Sequence, residues 1–390
     1  MTFVSAGAPG VIRSFFPMTK KTLTTALAAA LIAAGTVAAA PAQAAVQLEI
    51  PAVTGQSPVG REVLHLVDRD RVDPWTGKGP RELMVSMYYP ALPGGGATAP
   101  YMTIEEARLL LKGQKRDQPG AAEMVSATKV NAKAGAAPAR GRHPLVVLSP
   151  GFTLPRGLLT GLAEDLASRG YVVAAVDHAN ESYGTAFPGG RITTCVACDK
   201  VKEGGLAEVA EGRAKDVSFL LDRLTGPRSA WPYAKMIDRS RIGMAGHSIG
   251  GNTAARVMAE DRRVRAGVNL DGTFFTPVDG LKRPFMMVGT RSGHSPGGVD
   301  ASWDRSWQRL GGWKRWLTVK DTGHLSFVDL PVLGAQLGMV DPAAPLSGKR
   351  SGEIPRAYVG AFFDRHLKGE NEPLLDAPTK DNPEVAFHQP

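Results

Sequence analysis

The sequence predicts an α/β fold with a mainly parallel central sheet and helices on both of its faces. Three observations carry that prediction. From Pro144 onward, short apolar runs recur as "PLVVLSPG", "YVVAAVDH", "RIGMAGHS", "RAGVNLDG", "PFMMVGTRSG" and "WLTVKDTGH", and near-continuous runs of this length suit strands covered on both faces. Helical segments alternate with them: "LLTGLAEDLASRG" stops at Gly170, "LAEVAEGRAKDVSFLLDRLTG" stops at Gly226, and "GNTAARVMAED" follows Ser248. Each strand run ends in Gly, Asp, Ser or His, and ligand sites in such sheets lie at the carboxyl ends of the strands.

Taken in order, the chain opens with a segment outside the fold. From Met18 it reads Lys20 and Lys21, an Ala/Leu-rich run to Ala40, then "PAQA": a basic start, an apolar stretch and a small-residue cleavage signal. We read residues 1–44 as a leader cleaved after Ala44, with Met18 as the expected true start and a secreted mature chain. A membrane anchor is the poorer reading, because the run is Ala-rich, ends at a cleavage signal, and no other apolar stretch is long enough to span a bilayer. Residues 45–390 then form one catalytic domain, with no repeat and no second domain. Within it "RELMVSMYYPA" alternates as a strand does. Residues 92–142 are crowded with Gly, Ala and Pro and read as an insertion. Thr103 and Glu106 make a capping box ahead of "ARLLLKG", which predicts a short helix inside that insertion.

Composition excludes several classes. The 390 residues are 43% hydrophobic and 21% charged, too balanced for a disordered chain. The formal charge of +9 includes Arg13, Lys20 and Lys21, which leave with the leader; no Lys/Arg cluster follows, so nucleic acid is not an expected partner. No metal or organic cofactor is implied. The two cysteines, Cys195 and Cys198, are expected to form a disulfide closing a small loop, since an exported chain meets oxidising conditions.

The sharpest motif is Gly246-His247-Ser248-Ile249-Gly250. It follows a predicted strand and opens a predicted helix, which is where a nucleophile elbow holds a serine in a strained turn. A serine hydroxyl needs a base, and the base needs a third group to orient it. Of eight histidines, His65, His143, His366 and His388 do not end strands on the sheet's active edge, His178 precedes the serine, and His247 is expected to point away along the elbow. Of the remaining two, His294 and His324, the latter directly follows the last apolar run and is the expected base. Asp271 closes the strand "RAGVNLDG" and is the expected acid; Asp300 lies well beyond the next strand, and Asp321 is too near His324 to face it. The expected oxyanion donors are the N–H of Ile249, after the nucleophile, and that of Phe152 in "LSPGFTL".

The stretch "GHSIGGNTAARVMAEDRRVRAGVNLDGTFF" resembles the nucleophile-to-acid segment of the plasma-type platelet-activating factor acetylhydrolases, and "GHLSFVDL" matches that family's His segment. "MYYPA", "VVAAVDH" and "AYVGAFFDRHLKG" correspond in order. The resemblance implies an α/β-hydrolase that cleaves carboxylic esters through an acyl-serine, as related exported bacterial lipases do, with an ester or lipid substrate. The family has His-Gly before its oxyanion residue where this chain has Pro150-Gly151, and "SPGFT" looks like the loop of cutinase-type polyester hydrolases. A cutinase-like activity is therefore the second reading, with its acid expected on the segment leading to Asp300. Short-acyl phospholipids, acylglycerols and polymer esters stay open as substrates. Trp303, Trp307, Trp313 and Trp316 offer an aromatic face for an interface, but the four-residue spacing of Trp303 and Trp307 favours core packing. A non-catalytic ligand-binding homologue is the poorest reading, since such proteins lose a triad member and this chain keeps all three.

Overall fold

The computed structural model describes residues 46–201 and 205–390, so the leader, Met18 and the expected cleavage point after Ala44 lie outside the described residues. Val46–Pro390 form one compact unit. The strands in chain order are β1 (Val59–Val72), β2 (Pro80–Pro90), β3 (Lys133–Ala134), β4 (His143–Ser149), β5 (Val172–His178), β6 (Thr185–Ala186), β7 (Ile192–Thr193), β8 (Ile237–His247), β9 (Val264–Leu270), β10 (Phe285–Thr290), β11 (Lys314–Val319) and β12 (Val385–His388). Ten of them build one sheet in the order β12-β11-β10-β9-β8-β4-β5-β2-β1-β3, while β6 and β7 pair separately.

The six apolar runs are the six central strands, and these run parallel to one another from β11 to β5. Their continuity in apolar residues has a direct cause. Val146, Leu148 and Ala245 point to one core while Leu145, Val147 and Met244 point to the other, because successive strand side chains alternate between faces. Helices Thr160–Ser168 and Gly348–Phe363 cover the first face with Leu162, Leu166, Tyr358 and Phe362. Helices Leu206–Thr225, Ile249–Glu260 and Ala301–Arg309 cover the second with Leu220, Leu221, Val257, Met258 and Trp303. Each such fully buried side chain contributes roughly 1.5–3 kcal/mol of transfer free energy.

The predicted helix of the insertion is present at Ile104–Gly113, with both halves of the Thr103–Glu106 capping box formed. A second helix, Ala121–Ser126, and β3 accompany it. β3 pairs with β1 and becomes the edge of the large sheet, so the insertion is partly built into the sheet. A two-residue pairing has no periodicity to announce it. Trp303, Trp307 and Trp316 are buried and Trp313 is half-buried against His366, which is packing. Among the described residues, no helix is long and apolar enough to cross a membrane.

From β4 the chain continues to β5 on one side, whereas from β8 it continues to β9 on the other. The carboxyl ends of β4 and β8 therefore flank the point where the strand order reverses, the place where open α/β sheets bind their ligands.

Candidate active site

At the end of β8 the backbone turns sharply into the helix Ile249–Glu260. Ser248 occupies the turn with φ 56° and ψ −124°, a conformation costing roughly 1–3 kcal/mol for a non-glycine residue. The neighbouring glycines are needed because the strand, the turn and the helix touch. A Cβ on Gly246 would lie 2.2 Å from the carbonyl carbon of Gly250, and one on Gly250 would lie 2.0 Å from the Ser149 oxygen. Ser248 N–H donates to the Leu270 carbonyl at 2.8 Å, which ties the elbow to β9. The serine is half-buried, and among the described residues its hydroxyl makes no hydrogen bond.

Asp271 follows β9 directly, with φ 56° and only 2% of its surface exposed. The Asn269 side chain clamps this turn, accepting from Gly272 N–H at 2.8 Å and donating to the Gly272 carbonyl at 2.7 Å. Three donors converge on the Asp271 carboxylate. Thr290 N–H (2.6 Å) and His294 Nδ1 (2.7 Å) reach Oδ1, and His324 Nδ1 reaches Oδ2 at 2.6 Å. Burial by itself would raise the carboxyl pKa; the hydrogen bonds from His294 and His324 outweigh it and hold Asp271 well below the usual carboxylate range.

His324 begins a short turn, His324–Phe327, after β11 and keeps 51% of its side chain exposed. With Nδ1–H donated to Asp271, its lone pair is on Nε2. Its carbonyl accepts from His247 Nε2 at 2.7 Å, and the two rings lie 4.6 Å apart. His247 thus does not point away from the site as expected. The β11 loop folds back over the elbow, so the residue before the serine packs beneath the base and links the two. Burial, then the neighbouring His324, pushes the His247 pKa down to about 3, so it is a neutral imidazole with its single N–H on Nε2.

The loop after β4 is held from behind. Arg213 Nη1 donates to the Pro150 carbonyl at 2.5 Å and Arg213 Nε to Glu181 Oε2 at 2.7 Å. Glu181 also accepts from Trp75 Nε1 at 2.8 Å and Arg81 Nη2 at 2.6 Å, while Thr153 N–H donates to the Glu181 carbonyl. All these side chains are buried. Among the described residues, neither a side chain nor a loop carbonyl accepts from the N–H of Phe152 or of Ile249, and Ile249, first in its helix, has no intrahelical acceptor. Half-buried Phe152, Phe275, Val196 and Cys195 pack with Ile249 into an apolar cluster. Cys195 and Cys198 are bonded, their Cα atoms 5.3 Å apart.

Sequence reasoning placed Ser248, Asp271, His324, Phe152 and Ile249, and these gather at the one sheet edge. It missed His247, His294, Asn269 and the Arg213–Glu181 pair. Asp300 does not reach His324; its carboxylate faces His294 Nε2 at 3.2 Å. Asp364, Glu370 and Glu372 could converge on a cation, but Lys368 Nζ already neutralises Asp364 at 2.6 Å, and none of the three belongs to this site.

The family model of "Platelet-activating factor acetylhydrolase, isoform II" matches residues 42–188 and 231–340. A probable 1-alkyl-2-acetylglycerophosphocholine esterase of Arthroderma benhamiae is 27% identical over 87% of this chain and 93% of its own length. The platelet-activating factor acetylhydrolase of Cavia porcellus is 23% identical over 58% of each chain. Among solved structures, a ferulic acid esterase from Streptomyces cinnamoneus superposes with a TM-score of 0.80 at 46% identity, over 88% of this chain and all of that one.

Proposed function

Because the chain belongs to the family of platelet-activating factor acetylhydrolase, isoform II, and is a carboxylic-ester hydrolase of the α/β-hydrolase fold, we propose that it works through a Ser248–His324–Asp271 triad and an acyl-serine intermediate. The observation that carries this is the 2.6 Å hydrogen bond from His324 to a buried Asp271 carboxylate, beside a serine in the strained turn its role requires. His324 Nε2 takes the Ser248 proton as Oγ attacks the ester carbonyl carbon. The carbonyl oxygen gains negative charge and is met by the N–H groups of Phe152 and Ile249, assisted by the positive end of the helix Ile249–Glu260. His324 then protonates the departing alcohol, and water, activated by the same ring, releases the acid. Removing one such oxyanion donor lowers turnover by roughly 10² to 10³.

For the acyl group, the acetylhydrolase relatives support a short chain on a glycerophospholipid. A second reading is favoured by the 46% identity to a ferulic acid esterase together with Phe152 and Phe275 against Ile249: these two rings would flank a flat hydroxycinnamoyl group. The cutinase-like placement of the acid has less support, since Asp300 pairs with His294. Secretion after cleavage at Ala44 completes the proposal, and the paired cysteines are compatible with it. Purified protein assayed on p-nitrophenyl esters from acetate upward, on an acetylated glycerophosphocholine and on methyl ferulate tests the reading. Turnover of none of them would refute it, and the preferred ester decides between the two acyl classes.

A further inference from the structure

We infer that His294 and Asp300 form a charge pair behind Asp271 that sets the aim and the net charge of that carboxylate, making both of them positioning residues for proton transfer at His324. The inference rests on the serine-hydrolase reading above. Both ring nitrogens of His294 face carboxylates: Nδ1 meets Asp271 Oδ1 at 2.7 Å and Nε2 meets Asp300 Oδ2 at 3.2 Å. A neutral imidazole has one N–H and one lone pair, and a lone pair facing a carboxylate is repelled, so the geometry requires an N–H on each nitrogen and a cationic ring. The ring is stacked on Trp303 with centroids 4.2 Å apart and planes 25° apart, a face that favours a cation.

The seat is rigid. Trp303 Nε1 donates to the Gly272 carbonyl at 2.9 Å and Trp316 Nε1 to the His294 carbonyl at 2.7 Å. Gly289 lies so close that a Cβ there would stand 2.7 Å from that of His294. Asp300 caps the helix Ala301–Arg309, accepting from Ser302 N–H at 2.9 Å, so the cap fixes the second carboxylate. The charged groups facing His294 are Asp271 and Asp300; Arg291 is exposed on its own turn, and His388 lies beyond Trp316. Burial tends to lower the His294 pKa, but its hydrogen bonds to the two carboxylates raise it to about 9, so the cation persists at neutral pH.

The consequence lies in the charge that His324 meets when it takes the serine proton. With Asp271 and Asp300 ionised and His294 cationic, the group is singly negative at rest and becomes neutral on proton transfer. Removal of the Asp300 charge makes the same step run from neutral to cationic, and the base weakens. Removal of the His294 charge makes it run from doubly to singly negative, and the base strengthens. The two losses therefore shift the base in opposite directions, which a purely structural role of either residue would not do.

The test is the pH profile of kcat/KM on p-nitrophenyl acetate for the full chain and for Asp300→Ser, His294→Gln and His294→Leu. Serine keeps the helix cap without the charge, and glutamine keeps an N–H for Asp271 without the cation. The acidic-limb pKa should fall by about one unit in Asp300→Ser and rise by about one unit in His294→Gln. His294→Leu should lose roughly 10- to 100-fold in kcat with KM little changed, and His294→Gln should recover much of that loss. Should the His294 variants fail to fold, Asp300→Ser decides, with nitrogen NMR of the wild-type ring at neutral pH expected to show His294 doubly protonated. Unmoved acidic limbs, shifts of the same sign, or a singly protonated ring would overturn the inference. Failure of the serine-hydrolase reading is distinguishable, because it would appear in the wild type as activity that survives Ser248→Ala.

Discussion

Replacing Asp271 by Asn perturbs the site at its most connected atom pair. The carboxylate accepts three donors, whereas an amide offers one accepting oxygen and an NH₂ group. Thr290 N–H and His294 claim the oxygen, so the NH₂ faces His324 Nδ1 and selects the tautomer with its proton on Nε2. That tautomer cannot take a proton from Ser248. For a charge separation of about 4 Å, the lost carboxylate–imidazolium attraction is about 4 kcal/mol at an effective dielectric of about 20. His324 is 51% exposed, and solvent screening reduces this to about 2–3 kcal/mol. Reversing the tautomer sacrifices one hydrogen bond to a charged group and adds about 1.5–3 kcal/mol. The total, roughly 4–6 kcal/mol, corresponds to a loss of about 10³ to 10⁴ in kcat. Steady-state kinetics on one soluble ester, with circular dichroism and a melting curve to verify folding, measures it. A folded Asp271→Asn protein within tenfold of the wild type would refute the reasoning.

Three further outcomes are expected. Ser248→Ala should abolish ester turnover while the fold persists, and a fluorophosphonate should label the wild type at Ser248 alone, as read by peptide mass spectrometry. Gly250→Ala places a Cβ 2.0 Å from the Ser149 oxygen; it should cost roughly 1–3 kcal/mol of stability and displace the oxyanion loop, so that kcat falls more than KM changes. Asp329 is buried, and although Gly161 N–H and Tyr101 OH bond to it, burial raises its pKa from 3.8 to about 7. The folded state holds this proton more tightly than the unfolded one, so the contribution to stability is complete below the unfolded pKa and is lost as pH rises to about 7. Asp329→Asn should flatten the decline of Tm across that window, and an unchanged slope would show that another group causes it.

Much of the fold was legible in the sequence because its signals are local. A strand covered on both faces must be apolar at nearly every position, so "PLVVLS" and "YVVAAV" announce β4 and β5 without any partner in view. The elbow is legible for a similar reason: the two glycines flanking His247-Ser248-Ile249 answer to contacts within a few residues and to the crossing of β4. Strand ends in a parallel sheet share one edge, which is why Ser248, Asp271 and His324 could be named from their places after β8, β9 and β11. What Asp300 does, by contrast, needed the folded geometry. Both acids reach the same neighbourhood, and only distances show that one bonds to His324 and the other to His294. His247 beneath His324, Arg213 on the Pro150 carbonyl and β3 on the edge of the sheet likewise left no trace in any periodicity. These are contacts between residues tens of positions apart, and a buried polar group is satisfied by whatever the folded chain brings within about 3 Å of it, a quantity that no stretch of sequence contains.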